Sequence, residues 1–192
     1  MKKLFGVLIA LCIIGGAIIV VVVLNEQQSL EQFPEMEIET SNSMKIESSA
    51  FQSNGSIPSR YTCDGEGVNP PLALSGVPSN TQSLVLIVDD PDASQGTFDH
   101  WVAWNFSPVI AEITEGATME GDAIIGKNSA NGNAYFPPCP PSGEHRYFFK
   151  LYALDVGLDL PVSSTKVDVE RAMEGHMLDS AELIGRYKRT KE

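Results

Sequence analysis

The apolar stretches of this chain differ in rhythm, and the rhythm sorts them into elements. "SLVLIVDD" (83–90) runs through five consecutive apolar residues before two acids, the pattern of a strand buried on both faces. "HWVAWNF" (100–106) and "HRYFFKLYALD" (145–155) are aromatic and β-branched, and "MKIESSAF" (44–51) alternates weakly. From Met44 onward such runs are short and cut by Gly, Pro, Asn and Ser, which predicts a mostly β sandwich or barrel. Strict alternation in 100–106 places His100, Val102 and Trp104 on one face and Trp101, Ala103 and Asn105 on the other. By the same rule His145 and Tyr147 share a face and Arg146 points away. One segment has a different period. In "TKVDVERAMEGHML", Val169, Ala172, Met173, His176 and Met177 fall at helical spacing, with Ser164 or Thr165 as the cap.

The N-terminal pattern is different again. After Lys2 and Lys3, residues 4–24 carry no charge. As a helix, these positions span about 31 Å at roughly 1.5 Å each, enough for a bilayer core. A secretory signal peptide is the rival reading, with Gly15 and Ala17 as a candidate cut site; its apolar region is usually shorter. Cys12 follows Leu11, where a lipoprotein site wants a small residue. The sequence therefore favours an uncleaved transmembrane anchor over residues 1–24. Lysines before the span and Glu26 after it put the rest outside the cytoplasm, secreted if the segment is cleaved. Residues 25–43 are polar and acidic, the composition of a flexible tether. Residues 44–192 are long enough to form one domain with a core of its own.

A net charge of −12 argues against nucleic acid as a partner, because such surfaces need basic patches. It leaves room for one small pocket of opposite character. Four stretches hold polar residues that a plain β core does not require. Asp89-Asp90-Pro91-Asp92 ends the apolar run with carboxylates at a turn; a solvated turn explains it equally well. His100 opens the next strand, and a hydrogen-bonded core histidine is the plain alternative to a ligand. "YFPPCPPSGEHRY" (135–147) is a proline-stiffened loop leading into His145 and Tyr147, an imidazole and a phenol aimed the same way. These suit an anion, or simply a packed strand after an exposed turn. "GKNSANGNAY" (126–135) reads as a loop and lacks phosphate-loop spacing. No G-x-S-x-G, H-E-x-x-H or C-x-x-C motif is present.

These stretches are far apart in the chain, and a resemblance brings them together. "YTCDGEGVNPPL", "LVLIVDDPDA", "HWVAWNF", "GKNSANGNAYFPPCPPSGEHRYFFKLYALD" and "GHMLDSAELIGRY" stand in the order found in the phosphatidylethanolamine-binding protein family. The chain resembles in particular its bacterial and archaeal, Raf-kinase-inhibitor-like branch. The resemblance implies an antiparallel β sandwich with one or two short helices near the C-terminus and a shallow pocket for phosphate-like anions. Carried over by position, Asp90 is the pocket acid, His100 and His145 the pocket histidines and Tyr147 the phenol. Cys139, Pro140 and Pro141 form the rim, Asp92 is a turn or supporting residue, and the tryptophans, Trp101 first, wall the site. Pro137 stands where similar chains usually have glycine, which stiffens the rim.

Three functions follow as expectations. The leading one is a membrane-tethered, extracytoplasmic binding protein for phosphate-bearing or phospholipid-headgroup-like ligands, needing no cofactor and no metal. The others are inhibition of a protease or kinase through the same surface, and hydrolysis with Asp90, His100 and His145 as acid and base. Both histidines are expected to bind the anion as cations. Cys63 and Cys139 are the only cysteines outside the apolar run, both lie in matching loops, and an oxidising location permits a bridge. Two free thiols are the alternative.

Overall fold

A computed structural model describes residues 8–14, 17–23, 43–117 and 121–189. They belong to two compact units, one within residues 1–40 and one within 41–192. In the first, β1 (Leu8–Ile14) and β2 (Ala17–Val23) pair antiparallel, from Leu8 opposite Val23 to Ile14 opposite Ala17. At these described residues the structure differs from the helix expected over residues 4–24. The two segments are rich in Ile and Val, whose branched side chains favour extended backbone. The sequence between them, Gly-Gly, is a signal for a two-residue hairpin connection. Among the described residues no helix is long and apolar enough to cross a membrane. The tether expected over 25–43 lies outside the described residues except for Ser43.

The second unit contains β3 (Lys45–Glu47), β4 (Gly55–Ser56), β5 (Leu72–Ser75), β6 (Ser83–Asp90), β7 (Phe98–Phe106), β8 (Glu112–Ile113), β9 (Ile124–Ile125), β10 (Glu144–Leu154), α1 (Lys166–Met173) and β11 (Met177–Lys188). A six-stranded sheet runs β4-β11-β10-β6-β7-β9, and a three-stranded sheet runs β3-β5-β8. All pairs are antiparallel except β11 with β4. The main core joins the two sheets: Ile46, Leu72, Leu74 and Ile113 meet Leu84, Leu86, Val88, Trp101, Phe149 and Leu151. A second cluster covers the other face of the large sheet, where Val85, Ile87, Val102 and Trp104 pack with Val169 and Met173 of α1. Every residue of β6 is buried as a result, as its unbroken apolar run requires.

The helix is shorter than its period suggests. Asp168 accepts hydrogen bonds from the N–H and hydroxyl of Thr165, which fixes the start. The chain leaves the helix through Gly175, at φ 80°, so His176 and Met177 fall outside it and Met177 opens β11.

Strand β7 departs from alternation at the point that matters most. Val88 pairs with Trp101, but Asp89 pairs with Asp99, so His100 is an extra residue opposite no partner on β6. Such a bulge re-aims a side chain. Val102 and Trp104 face α1, whereas His100 packs edge-on to Tyr147, on the main-core face. The expected grouping of His100 with Val102 and Trp104 is thereby corrected. A second shift lies near Asn105, which adopts φ 61° and uses its amide to bond both N–H and C=O of Leu158.

Gly126 marks the tightest contact in the second cluster. A Cβ there would lie 2.5 Å from Trp104 and 2.6 Å from the Ser164 carbonyl. Gly126→Ala should therefore lower the unfolding free energy by about 1–3 kcal/mol, read by urea denaturation; an unchanged midpoint would refute this close packing.

Candidate functional site

Antiparallel pairing explains how distant residues converge. The C-terminal end of β6 lies beside the N-terminal starts of both its neighbours, β7 and β10. Asp90, His100, His145 and Tyr147 thus come together at one end of three adjacent strands of the large sheet. With Cys139, Pro140 and Pro141 they line a single cavity of about 470 Å³. The loop 93–97 forms another side of it.

Asp90 acts as a bracket. Its Oδ1 accepts the Asp92 N–H at 2.8 Å, a turn that Pro91 favours, and its Oδ2 accepts from His145 Nδ1 at 2.7 Å. The two side chains are only 5% and 10% exposed. Asp92 does not line the cavity. It accepts three bonds from Arg146, at its backbone N–H, Nε and Nη2, which ties the turn to the start of β10. The Arg146 guanidinium holds the Asp92 carboxyl down to about 2.

His100 is tied to the proline loop. Its Nδ1 donates to the Phe136 carbonyl at 2.7 Å, and the Phe136 N–H donates back to the His100 carbonyl at 2.9 Å. A carbonyl only accepts, so Nδ1 carries the hydrogen and Nε2 of the neutral ring is an acceptor. Burial pushes this imidazole below its usual range, against the opposing pull of the Phe136 carbonyl and Asp90. Burial thus works against the charge expected from the sequence for His100 in an anion site. Tyr147 is fully buried, and its hydroxyl is without a hydrogen-bond partner. Burial, then Asp90, push this phenol well above its ordinary range, so it stays an O–H donor.

The aromatic wall differs from the expected one. Phe98, Phe136 and Tyr147 surround His100, with ring centroids 4.8, 6.0 and 5.1 Å away. Trp101 lies in the main core, against Tyr135, and Trp104 faces α1. Phe98 and Phe136 were missed because a phenylalanine near a strand start has no distinctive signature. Asn128 was missed as well. Its amide oxygen accepts the N–H groups of Ala130 and Gly132 while its Nδ2 donates to Ala134 O, so one side chain shapes the loop that precedes Phe136.

Cys63 and Cys139 form a disulfide, with Cα atoms 5.4 Å apart. The Cys63 N–H also donates to Pro138 O. Beside it, Asp64 accepts from Tyr187 Oη and Arg189, so the partner loop is fastened to the end of β11. All peptide bonds among the described residues are trans, so Pro137 enters the rim without a change of isomer. Among those residues no group of three or more His, Cys, Asp or Glu side chains is arranged to hold a metal ion. The cavity offers a buried hydroxyl, two imidazoles and a carboxylate already bonded to one of them. That set combines hydrogen-bond donors and acceptors within one small cavity.

Comparison with known proteins places the fold and the family. The model of the phosphatidylethanolamine-binding protein family matches residues 47–188. A relative from Methanothermobacter thermautotrophicus, named as a UPF0098 protein, is 49% identical over 150 residues, covering 76% of this chain and 99% of its own. One from Pyrococcus horikoshii is 47% identical over 155 residues, or 77% of each chain. A crystal structure from Chlamydia trachomatis, described as a phosphatidylethanolamine-binding protein homolog, superposes with a TM-score of 0.74. It is 44% identical and covers 77% of this chain and 99% of that one. YbcL of E. coli superposes at 0.72 with 23% identity, over 77% of this chain and 99% of its own, and shares the fold.

The disulfide closes a separation of 76 residues, worth roughly 4 kcal/mol in the chain-entropy account. Cys63→Ala with Cys139→Ala should lose a stabilisation of this order in urea titrations. Equal midpoints for the double variant and the oxidised protein would contradict it.

Proposed function

Because the chain belongs to the phosphatidylethanolamine-binding protein family, we propose that its cavity captures a small anionic group, a phosphate or phosphate-bearing headgroup, and that the protein is a binding module. The observation that carries this reading is the Tyr147 hydroxyl, buried at the cavity wall without a partner. An orphaned buried donor costs about 1–3 kcal/mol, and a ligand oxygen would recover it. His145, oriented by Asp90, adds a charge-assisted donor once protonated. A hydrolytic reading has less support, because Cys139 is closed in the disulfide.

The uncharged N-terminal run supports a membrane address for this module. Residues 4–24 carry no charge, so their side chains suit an apolar environment, and on this reading they tether the domain outside the cytoplasm. The full-length protein should then remain with membranes through a carbonate wash, its N-terminus intact. A mature chain starting near Ile18 counts against the anchor.

Tyr147→Phe separates binding from stability. It should weaken phosphate binding by about 0.5–1.5 kcal/mol, or 2- to 12-fold by calorimetry, while the ligand-free protein becomes no less stable. A loss of stability with unchanged affinity would refute the role given to this hydroxyl.

The pH dependence follows from His100. The fold favours its neutral ring, so the stability that this ring contributes is fully present above the unfolded value near 6.5 and declines as pH falls through and below it. A bound anion favours the charged ring. Dimethyl phosphate, singly charged throughout, should therefore raise the melting temperature more near pH 5 than near pH 7.5. Equal protection at both would show that histidine charge plays no part.

A further inference from the structure

We propose that Lys166 is a positioning residue for His100, acting through the paired carboxylates Asp89 and Asp99 on the face of the sheet opposite the cavity. Asp89 and Asp99 stand directly across from each other in the β6–β7 ladder, one step from the unpaired His100. Like charges in directly opposed positions destabilise a ladder. Asp89 is only 1% exposed, so water screens the repulsion poorly.

Lys166 relieves it. Its Nζ hydrogen-bonds Asp89 Oδ2 and lies 3.3 Å from Asp99 Oδ1, with Glu170 farther out at 3.9 Å. Lys150 reaches Asp89 alone, at 2.9 Å. Among the described ion pairs, Lys166 is therefore the cation that joins the two strands. Its own position is fixed, because it is the first residue of α1, directly after the Thr165–Asp168 cap, and the Lys127 N–H holds Ser164 O. Burial pulls this ammonium down, but Asp89 and then Asp99 hold it above its usual range.

The consequence for the cavity comes from register. Without Lys166 the two carboxylates repel, and the ladder can separate them by sliding out of the bulge. A slip of one residue sends a side chain to the other face. His100 would then join Val102 and Trp104, away from Tyr147 and the Phe136 carbonyl. An ion pair behind the sheet thus holds an imidazole in front of it.

The chain contains three histidines, so the ring nitrogens can be followed by NMR in the full-length, ligand-free protein, with His145→Gln and His176→Gln to assign them. The His100 Nδ1 proton, held by Phe136 O, should exchange slowly in the wild type. Lys166→Met should lose that signal, and Lys166→Arg should keep it. Lys150→Met should also keep it, although it too removes a cation from Asp89. Lys166→Met combined with Asp99→Asn should recover it, because the repulsion is gone. Recovery sets the proposal apart from simple anchoring of α1, which the second substitution would not restore. Should Lys166→Met be too unstable for spectra, Lys166→Gln serves in its place. An unaltered His100 signal in the Lys166 variant, or no recovery in the double variant, overturns the proposal. Its bearing on ligands rests on the anion reading of the cavity, which has a separate test. If dimethyl phosphate fails to bind the wild type, that reading falls while the ring signals still decide this one.

Discussion

Two adjacent carboxylates at the end of a strand buried on both faces set the terms for everything around them. Alternation sends Asp89 behind the large sheet and Asp90 in front of it, and both are almost wholly buried. A buried carboxylate is tolerated only when paired and hydrogen-bonded. Asp90 is satisfied by His145 and the Asp92 N–H; Asp89 is paired at Oδ2 by Lys150 and Lys166, while its Oδ1 has no hydrogen-bond partner. Each solution recruits a different element. The first brings the start of β10 to the cavity, and the second draws α1 onto the back of the sheet. The position of the cavity and the docking of the helix thus share one cause. Deleting one partner of such a pair commonly costs about 3–5 kcal/mol, so neither side can change alone.

The cavity walls come from loops, and loops need their own restraints. The segment 126–143 has several. Asn128 bonds within it, Phe136 and His100 exchange two hydrogen bonds, Asn133 Nδ2 reaches Ile125 O and Val162 O, and the disulfide joins it to the loop of Cys63. The prolines add stiffness by narrowing what the unfolded chain can sample. A site restrained in this way loses little further entropy when a ligand enters, which favours binding even where each contact is modest.

How much of this was legible follows from the range of each interaction. The two-sided burial of β6 and the common face of His145 and Tyr147 could be read directly, because each depends on neighbours along one strand. The family motifs gathered Asp90, His100, His145 and Tyr147 before any coordinates did. The bulge at His100 was not legible. It depends on which residue of β6 sits opposite, and alternation alone therefore put His100 with the wrong partners. The role of Lys166 was hidden for the same reason, since it is 77 positions from Asp89. The N-terminal run shows the reverse limit: its length and lack of charge spoke for a helix, while its Ile and Val content and its glycines spoke for strands.

The overall charge constrains how an anion could be held. At −12 the chain repels anions at long range, and at physiological ionic strength that repulsion is screened over about 8 Å. No Lys or Arg is among the residues that line the cavity. Capture on the proposed reading therefore depends on groups within hydrogen-bonding distance, and burial works against the charge of His100 until an anion favours it. Such a site gains nothing from electrostatic steering. Its selectivity comes from shape and from the placement of its donors, which is where the bulge, the Asp90 bracket and the buried Tyr147 hydroxyl act together.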